Sequence, residues 1–234
     1  MSYLSLLTVF AHPDDEACGP AGTLAKYAHA GVQVSLICAT RGEAASSCCL
    51  PEPVTPEEMA RIRTAELRCS AHVLGIKQTV VLGFPDGKLG VQDQEQLQQE
   101  LVWLMSRIRP QVVITFGPHG HTGHPDHVAV GWATLVAFRR AQQDGNSGPS
   151  RLFYVCMPGT RSAERAHVVI DASEYVNYQL RAMRCYQSQR GCWESLLKQV
   201  GQKGLRHQCF YLAWSSQPWD YRQRDGTDLF AGIE

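Results

Sequence analysis

The sequence has no excess of charge of either sign: 22 Lys and Arg balance 22 Asp and Glu, and the pI is near 7.1. That leaves no electrostatic footprint for nucleic acid or anionic lipid as a partner. No apolar run approaches the ~20 residues of a membrane-crossing helix. There is no Cys-x-x-Cys pair, and the nine cysteines are odd in number and irregular in spacing, unlike the framework of a small disulfide-rich domain. Mostly free thiols in a reducing compartment, the cytoplasm, are therefore expected. Residues 1–10 lack a basic start and run straight into acidic residues, so they read as a core strand and not as a signal peptide. Repeats, low-complexity tracts and a clear linker are also missing. One domain over 1–234 is the simplest organisation, with the last third as a lid or add-on. The oligomeric state, a homo-oligomer included, is not fixed by the sequence.

What is present is ample core material, with 44% hydrophobic and 19% charged residues. Leu6 to Phe10 is a short apolar run of the kind buried on both faces of a sheet. Ala17 to Ala30 reads as a helix and Val32 to Ala39 as a second strand, together a right-handed parallel βαβ unit. Thr55-Pro56-Glu57-Glu58 is a capped helix start, followed by Met59, Ile62, Ala65, Cys69 and Val73 as the buried stripe. Within that helix Arg63 and Glu66 are spaced to pair. Thr79 to Leu82 and Val112 to Phe116 are further strands, and the helix between them opens at Asp93 and carries Leu97, Leu101, Leu104, Met105 and Ile108. His127 to Ala141 and Asp171 to Gln189 read as helices, and Leu152 to Cys156, Val168 to Ile170 and Cys209 to Trp214 as strands. The fold class is α/β with a mostly parallel sheet and a less regular C-terminal part.

Four strand ends in succession carry polar clusters: His12 to Asp15, Arg41 with Glu43, Asp86, and His119 to His127. In a parallel sheet such ends share one rim, where α/β sheets form their ligand crevice. His12 and Asp15, three apart on a turn entering a helix, can point one way, and His127 can supply a third ligand. Two imidazoles, one carboxylate and an open position suit Zn²⁺, with Fe²⁺ as the other candidate. Such a metal lowers the pKa of a bound water to near neutrality. Asp14 is then placed as general base, and His124 as oxyanion stabiliser and proton donor. Asp126 can hold His124 in its donor tautomer. Singly, each piece has a plainer explanation: an acidic run caps a helix, and His-x-x-His pairs are common surface features. Jointly, two such clusters beside apolar strands point to a metal.

Ala-His-Pro-Asp-Asp-Glu after the first strand and Gly-His-Pro-Asp-His later resemble the PIG-L/LmbE family of zinc-dependent N-deacetylases. Thr-Arg-Gly-Glu after the second strand, Arg-x-x-Glu at 63–66 and Asp86-Gly87 extend the likeness from residue 4 to about 130. The resemblance implies a Rossmann-like three-layer sandwich with the metal at its carboxyl rim. It implies His12, Asp15 and His127 as zinc ligands, Asp14 as base and His124 at the oxyanion and leaving group. Arg63 and Asp86 match positions that grip the sugar, and Glu43 matches a rim carboxylate. Members remove the acetyl group from an N-acetylglucosamine unit of a small molecule, among them precursors of low-molecular-weight thiols such as the malate conjugate. Others act on chitobiose, glycopeptide antibiotics or the phosphatidylinositol anchor precursor. His119 stands where many members have an acid and Thr122 where some have Tyr, so substrate contacts differ here.

The rival activities are an amidase acting on thiol S-conjugates and a deacetylase of chitooligosaccharides or another N-acyl sugar. A non-catalytic sugar binder would not need every catalytic position filled. A dinucleotide-binding domain would need the glycine-rich fingerprint that is missing after the first strand. His119 and His121 read as loop residues, and Cys48-Cys49 lies in a long loop where it could be oxidised or bind metal.

Overall fold

A computed structural model of the chain describes residues 3–47, 49–91, 94–143, 148–156, 165–219 and 226–233. Seven strands form one sheet: β1 (Ser5–Phe10), β2 (Gln33–Thr40), β3 (Gln78–Phe84), β4 (Val112–Thr115), β5 (Arg151–Cys156), β6 (Val168–Asp171) and β7 (His207–Ser215). Their order is β3-β2-β1-β4-β5-β7-β6. The first five are parallel, and β7 runs antiparallel to both β5 and β6. This is the expected Rossmann-like α/β fold. Every residue of β1, β4 and most of β2 is buried, which accounts for continuous apolar runs without alternation. The chain order reverses between β1 and β4, the switch point at which doubly wound sheets open a crevice.

Eight helices flank the sheet among the described residues: α1 (Asp15–Cys18), α2 (Ala21–His29), α3 (Pro56–Leu74), α4 (Gln94–Ile108), α5 (Gly120–Gly123), α6 (Pro125–Gln143), α7 (Val176–Cys185) and α8 (Arg190–Gly204). Helices α2, α3 and α7 pack together, and α4 packs with α6. Helix α6 crosses the end of β4 so closely that a Cβ on Gly131 would lie 2.5 Å from the Phe116 carbonyl oxygen. That approach brings the first turn of α6, with Asp126 and His127, down onto the rim.

Several boundaries differ from the expectations. The helix foreseen from Ala17 is two pieces, because Pro20 cannot donate to the ladder and its ring crowds the carbonyl a turn earlier. The Asp171–Gln189 pattern resolves into a 3₁₀ turn (Ser173–Tyr175), α7 and a second 3₁₀ turn (Gln187–Gln189). Among its described residues the C-terminal third contributes the two expected strands of the common sheet and, beyond the expectation, α8, which carries little apolar signal. Asp93 and Cys48 lie outside the described residues.

The buried face of α3 is rotated from the expected stripe. Met59, Ala60, Arg63, Leu67, Ser70 and Leu74 face inward, whereas Ala65 and Cys69 are exposed. The reason is polar: Arg63 and Ser70 reach groups of the β1–α1 turn. The expected Arg63–Glu66 pair is not formed, since Glu66 accepts hydrogen bonds from the backbone N–H and hydroxyl of Ser188. Cys69 is bonded to Cys185 of α7, so these two thiols are not free, whereas Cys18, Cys38, Cys156 and Cys209 remain thiols.

The start of α3 is a complete capping box, with Thr55 accepting from the Glu58 N–H at 3.3 Å and Glu58 accepting from the Thr55 N–H at 2.8 Å. Thr55→Ala should therefore lower stability by about 1 kcal/mol, read as a shift of the urea midpoint at unchanged slope. No shift would mean that the box contributes nothing to the fold.

Candidate metal centre

Residues 11–14 leave β1 and turn sharply into α1. Asp15 closes that turn on itself: its Oδ2 accepts the N–H groups of Ala11 at 3.1 Å and His12 at 2.8 Å. Its Oδ1 is left pointing outward, 3.2 Å from His127 Nε2. His12 Nδ1 and His127 Nε2 also stand 3.2 Å apart, and His12 Nδ1 lies 3.8 Å from Asp15 Oδ2. The hydrogen-bond partners fix which ring atoms carry protons. His127 Nδ1–H donates to the Gly120 carbonyl at 3.0 Å, and His12 Nε2–H faces Asp86 Oδ1 at 3.0 Å and Asp126 Oδ2 at 3.2 Å. When both rings are neutral, as a bound cation requires, the two inner nitrogens are acceptors like the carboxylate oxygen, and His127 Nε2 stands 3.2 Å from each of the other two. Atoms bound to a tetrahedral metal at ~2.0–2.1 Å are separated by roughly 3.3 Å, which matches the two distances from His127 Nε2. The donor set fits a divalent cation, and the sequence-predicted trio His12, Asp15 and His127 meets there.

The supports of this corner are as specific as its donors. The Phe116 ring lies parallel to His127, with centroids 4.1 Å apart and planes at 6°, and fixes its orientation. The Asp126 carboxylate is fully buried. It accepts from the N–H groups of Gly87 at 2.7 Å and Leu89 at 3.0 Å and also holds His12. The expected contact of this carboxylate with His124 is not made. The Asp126 backbone N–H donates to His124 Nδ1 at 3.1 Å instead, which leaves the proton on Nε2. His124 thus has its donor tautomer, set by main chain and not by side chain. His12, His124 and His127 also come within 4.8 Å of one another. Since His124 is exposed and its Nδ1 is occupied, Asp15 is the better third donor.

Asp14 carries φ 110°, a conformation that costs a residue with a side chain on the order of 1–3 kcal/mol and is met at functional sites. Its carboxylate pairs with Arg63 at 3.1 Å. Arg63 also donates to the Gly42 carbonyl at 3.2 Å and to the Pro13 carbonyl. Gly42, at φ 71°, is where any Cβ would strike that guanidinium at 2.3 Å. Arg63 is therefore committed to the turn, although one edge of it lines the cleft. Asp86 is a network member more than a turn residue: its Oδ2 accepts from the Ala44 N–H at 3.0 Å, and its own N–H donates to Glu43 at 2.9 Å.

The electrostatics follow from this packing. Burial works to lower the pKa of His12, but its bonds to Asp126 and Asp86 and the charge of Asp15 outweigh it and raise the value to about 10. Burial opposes ionisation of Asp15, yet the facing His127 and His12 hold it well below the usual carboxylate range. The corner favours positive charge. Burial pushes Asp14 up to about 6 against the pull of Arg63, near the range of an effective base at neutral pH. Burial and the neighbouring imidazoles keep His124 below its ordinary value.

A cleft of about 570 Å³ opens over these groups. Its far wall is one face of α8: Cys192, Ser195, Leu196 and Gln199. Sequence reasoning missed that wall, because Trp193 is the one buried residue of α8 among those described and no apolar stripe marks the helix. It also missed Glu16, which is buried beside the turn and pushed up to about 7 by that burial.

An acid–base pair beside a cation corner, on the rim of a doubly wound sheet, is a layout for metal-assisted hydrolysis. The chain belongs to the PIG-L family, whose model, described as GlcNAc-PI de-N-acetylase, matches residues 7–138. A probable N-acetyl-alpha-D-glucosaminyl L-malate deacetylase 2 of Bacillus subtilis is 29% identical over 226 residues, covering 94% of this chain and 98% of its own. The likeness therefore runs well past residue 138. Among solved structures, the 4-carboxy-2-hydroxymuconate hydratase of Pseudomonas putida KT2440 superposes with a TM-score of 0.79 at 17% identity, covering 93% of this chain and 99% of that one. N,N'-diacetylchitobiose deacetylase from Pyrococcus horikoshii gives 0.70 at 23%, covering 89% and 83%. These two show the fold.

If Asp126 fixes His12, Asp126→Asn should weaken divalent-cation affinity by roughly 10- to 100-fold, measured by competition with a chromophoric chelator. His12→Ala and His127→Ala should each abolish stoichiometric binding. Wild-type affinity in all three would show that the cation sits elsewhere.

Proposed function

We propose that the protein is a zinc-dependent hydrolase that removes the N-acetyl group from a small molecule containing N-acetylglucosamine. The observation that carries this reading is the approach of His12 Nδ1 and Asp15 Oδ1 to His127 Nε2, each at 3.2 Å, with His124 beside the two imidazoles and Asp14 lining the same cleft. The cation, when bound there, supplies Lewis acidity to a water and to the acyl oxygen. Asp14 takes the proton from the attacking water. Its raised pKa leaves it ionised at neutral pH while keeping it a competent base. His124 Nε2–H, its tautomer set by the Asp126 main chain, donates a hydrogen bond to the oxyanion, and the proton that Asp14 took from the water passes to the departing amine. Arg63 keeps the Asp14 carboxylate oriented. Asp86, tied to His12 and to Glu43, lines the cleft and is the residue offered to the sugar.

The relatives named above give the substrate class: sugar conjugates such as the malate deacetylase substrate. No helix among the described residues is long and apolar enough to cross a membrane. A cytoplasmic site of action accords with the thiols of Cys18, Cys38, Cys156 and Cys209, with the Cys69–Cys185 bridge then formed against a reducing pool. The hydratase neighbour shows that this scaffold also serves water addition to an unsaturated acid.

Incubation with N-acetylglucosaminyl malate and inositol conjugates should release acetate and primary amine in equal amounts. The release should stop with a chelator and return with zinc. Asp14→Asn should lower kcat by ~10²–10⁴-fold with zinc still bound. A fully active Asp14→Asn enzyme, or no acetate from any N-acetyl sugar, would overturn the assignment.

A further inference from the structure

The Asp14 turn is held from two sides. On one side is Arg63. On the other, the Asp14 N–H donates to Glu16 Oε2 at 3.3 Å. Glu16 is 1% exposed, and its Oε1 accepts from the Tyr186 hydroxyl at 2.6 Å and from the Ser70 hydroxyl. Tyr186 and Ser70 are themselves fully or almost fully buried. Glu16, Ser70 and Tyr186 do not line the cleft, so no substrate touches them.

The two hydroxyls are not isolated contacts. Each directly follows one half of the Cys69–Cys185 bridge. One turn before Ser70, Glu66 accepts from the N–H of Ser188 at 2.8 Å and from its hydroxyl at 2.6 Å. Trp193 Nε1–H holds the Tyr186 carbonyl at 2.9 Å. Residues 185–188 are thereby fastened to α3 at successive points, and the fastening ends on Glu16.

We propose that Tyr186 and Ser70 are positioning residues for the reaction, acting through Glu16 to keep the Asp14 backbone in its positive-φ conformation and its carboxylate in the cleft. The proposal rests on Asp14 being the base in the reading above. The cation donors do not depend on this fastening, since Asp15 is held by the N–H groups of Ala11 and His12, and His127 by Gly120 and Phe116. Without the Tyr186 hydroxyl, Glu16 loses one of the two hydroxyls that hold its Oε1 and is free to turn, and Asp14 relaxes toward ordinary backbone geometry.

The test is a set of single and double variants of the zinc-loaded protein, assayed for acetate release from an N-acetylglucosaminyl conjugate. Tyr186→Phe should lower kcat by roughly 10- to 100-fold, the loss of one hydrogen bond to a buried charged group, with KM and zinc stoichiometry at wild-type values. Ser70→Ala should do the same to a smaller degree, and it carries the test if Tyr186→Phe does not fold. In an Asp14→Asn background, Tyr186→Phe should cost nothing further, because the group it positions has already been removed. A wild-type kcat in Tyr186→Phe, loss of zinc, or an equal further loss in the Asp14→Asn background would overturn the positioning role. A fully active Asp14→Asn single variant is a different failure, that of Asp14 as base.

Discussion

His127 Nε2 stands within about one tetrahedral edge of both His12 Nδ1 and Asp15 Oδ1, and acceptors so close repel unless something positive sits between them. The fold spends much of its order on forcing that arrangement. Asp15 Oδ2 is tied to its own turn, His127 is pinned flat on Phe116, and His12 is steered by two carboxylates at its outer nitrogen. Each tether acts on the side of the group facing away from the shared point. The arrangement could hold a cation, which would offset the buried charge around it. Four carboxylates, Asp14, Asp15, Asp86 and Asp126, crowd a region whose one paired guanidinium is Arg63.

The topology explains why two distant sequence clusters serve one corner. β1 and β4 are hydrogen-bonded neighbours, registered Leu6 to Val112 through Thr8 to Ile114, although more than a hundred residues separate them. Their carboxyl ends are level, and the chain leaves them in opposite directions at the switch point. Asp126 links the two. It belongs to the β4 cluster, reaches the β1 histidine, and is held by backbone N–H groups of the β3 loop. Three strand ends are thus joined through one carboxylate.

Much of this was legible in the sequence. The continuous apolar runs gave the parallel strands, and the polar strand ends gave the rim. His12, Asp15 and His127 were readable because such residues next to buried strands need partners. The failures share a cause. Apolar periodicity assigns the inward face of α3 to Ile62, Ala65 and Cys69, but Arg63 and Ser70 turn inward because their polar groups have buried partners across the fold. Pairing at i, i+3 assigns Glu66 to Arg63, whereas both are claimed by residues far away in sequence. Helix α8 escapes the same rule because one side of it faces a cleft and not a core. Hydrophobic patterning finds surfaces that exclude water. It is silent on surfaces that meet a ligand or a polar network.

The site divides its dependencies in a way that separates chemistry from selectivity. The cation donors are fixed by local main chain and by Phe116, all within the strand-end turns. The orientation of Asp14 is fixed by Arg63 on α3 and by Glu16, whose partners reach into residues beyond 180. The far wall of the cleft is α8, whose cleft-facing residues are a thiol, a hydroxyl, an apolar side chain and an amide. Ser195, Leu196 and Gln199 carry no charge, so changes at these positions alter what fits the cleft more than they alter the charge of the corner. A family that keeps its strand-end residues and varies its C-terminal helix can therefore change the conjugate it accepts without rebuilding the reaction centre.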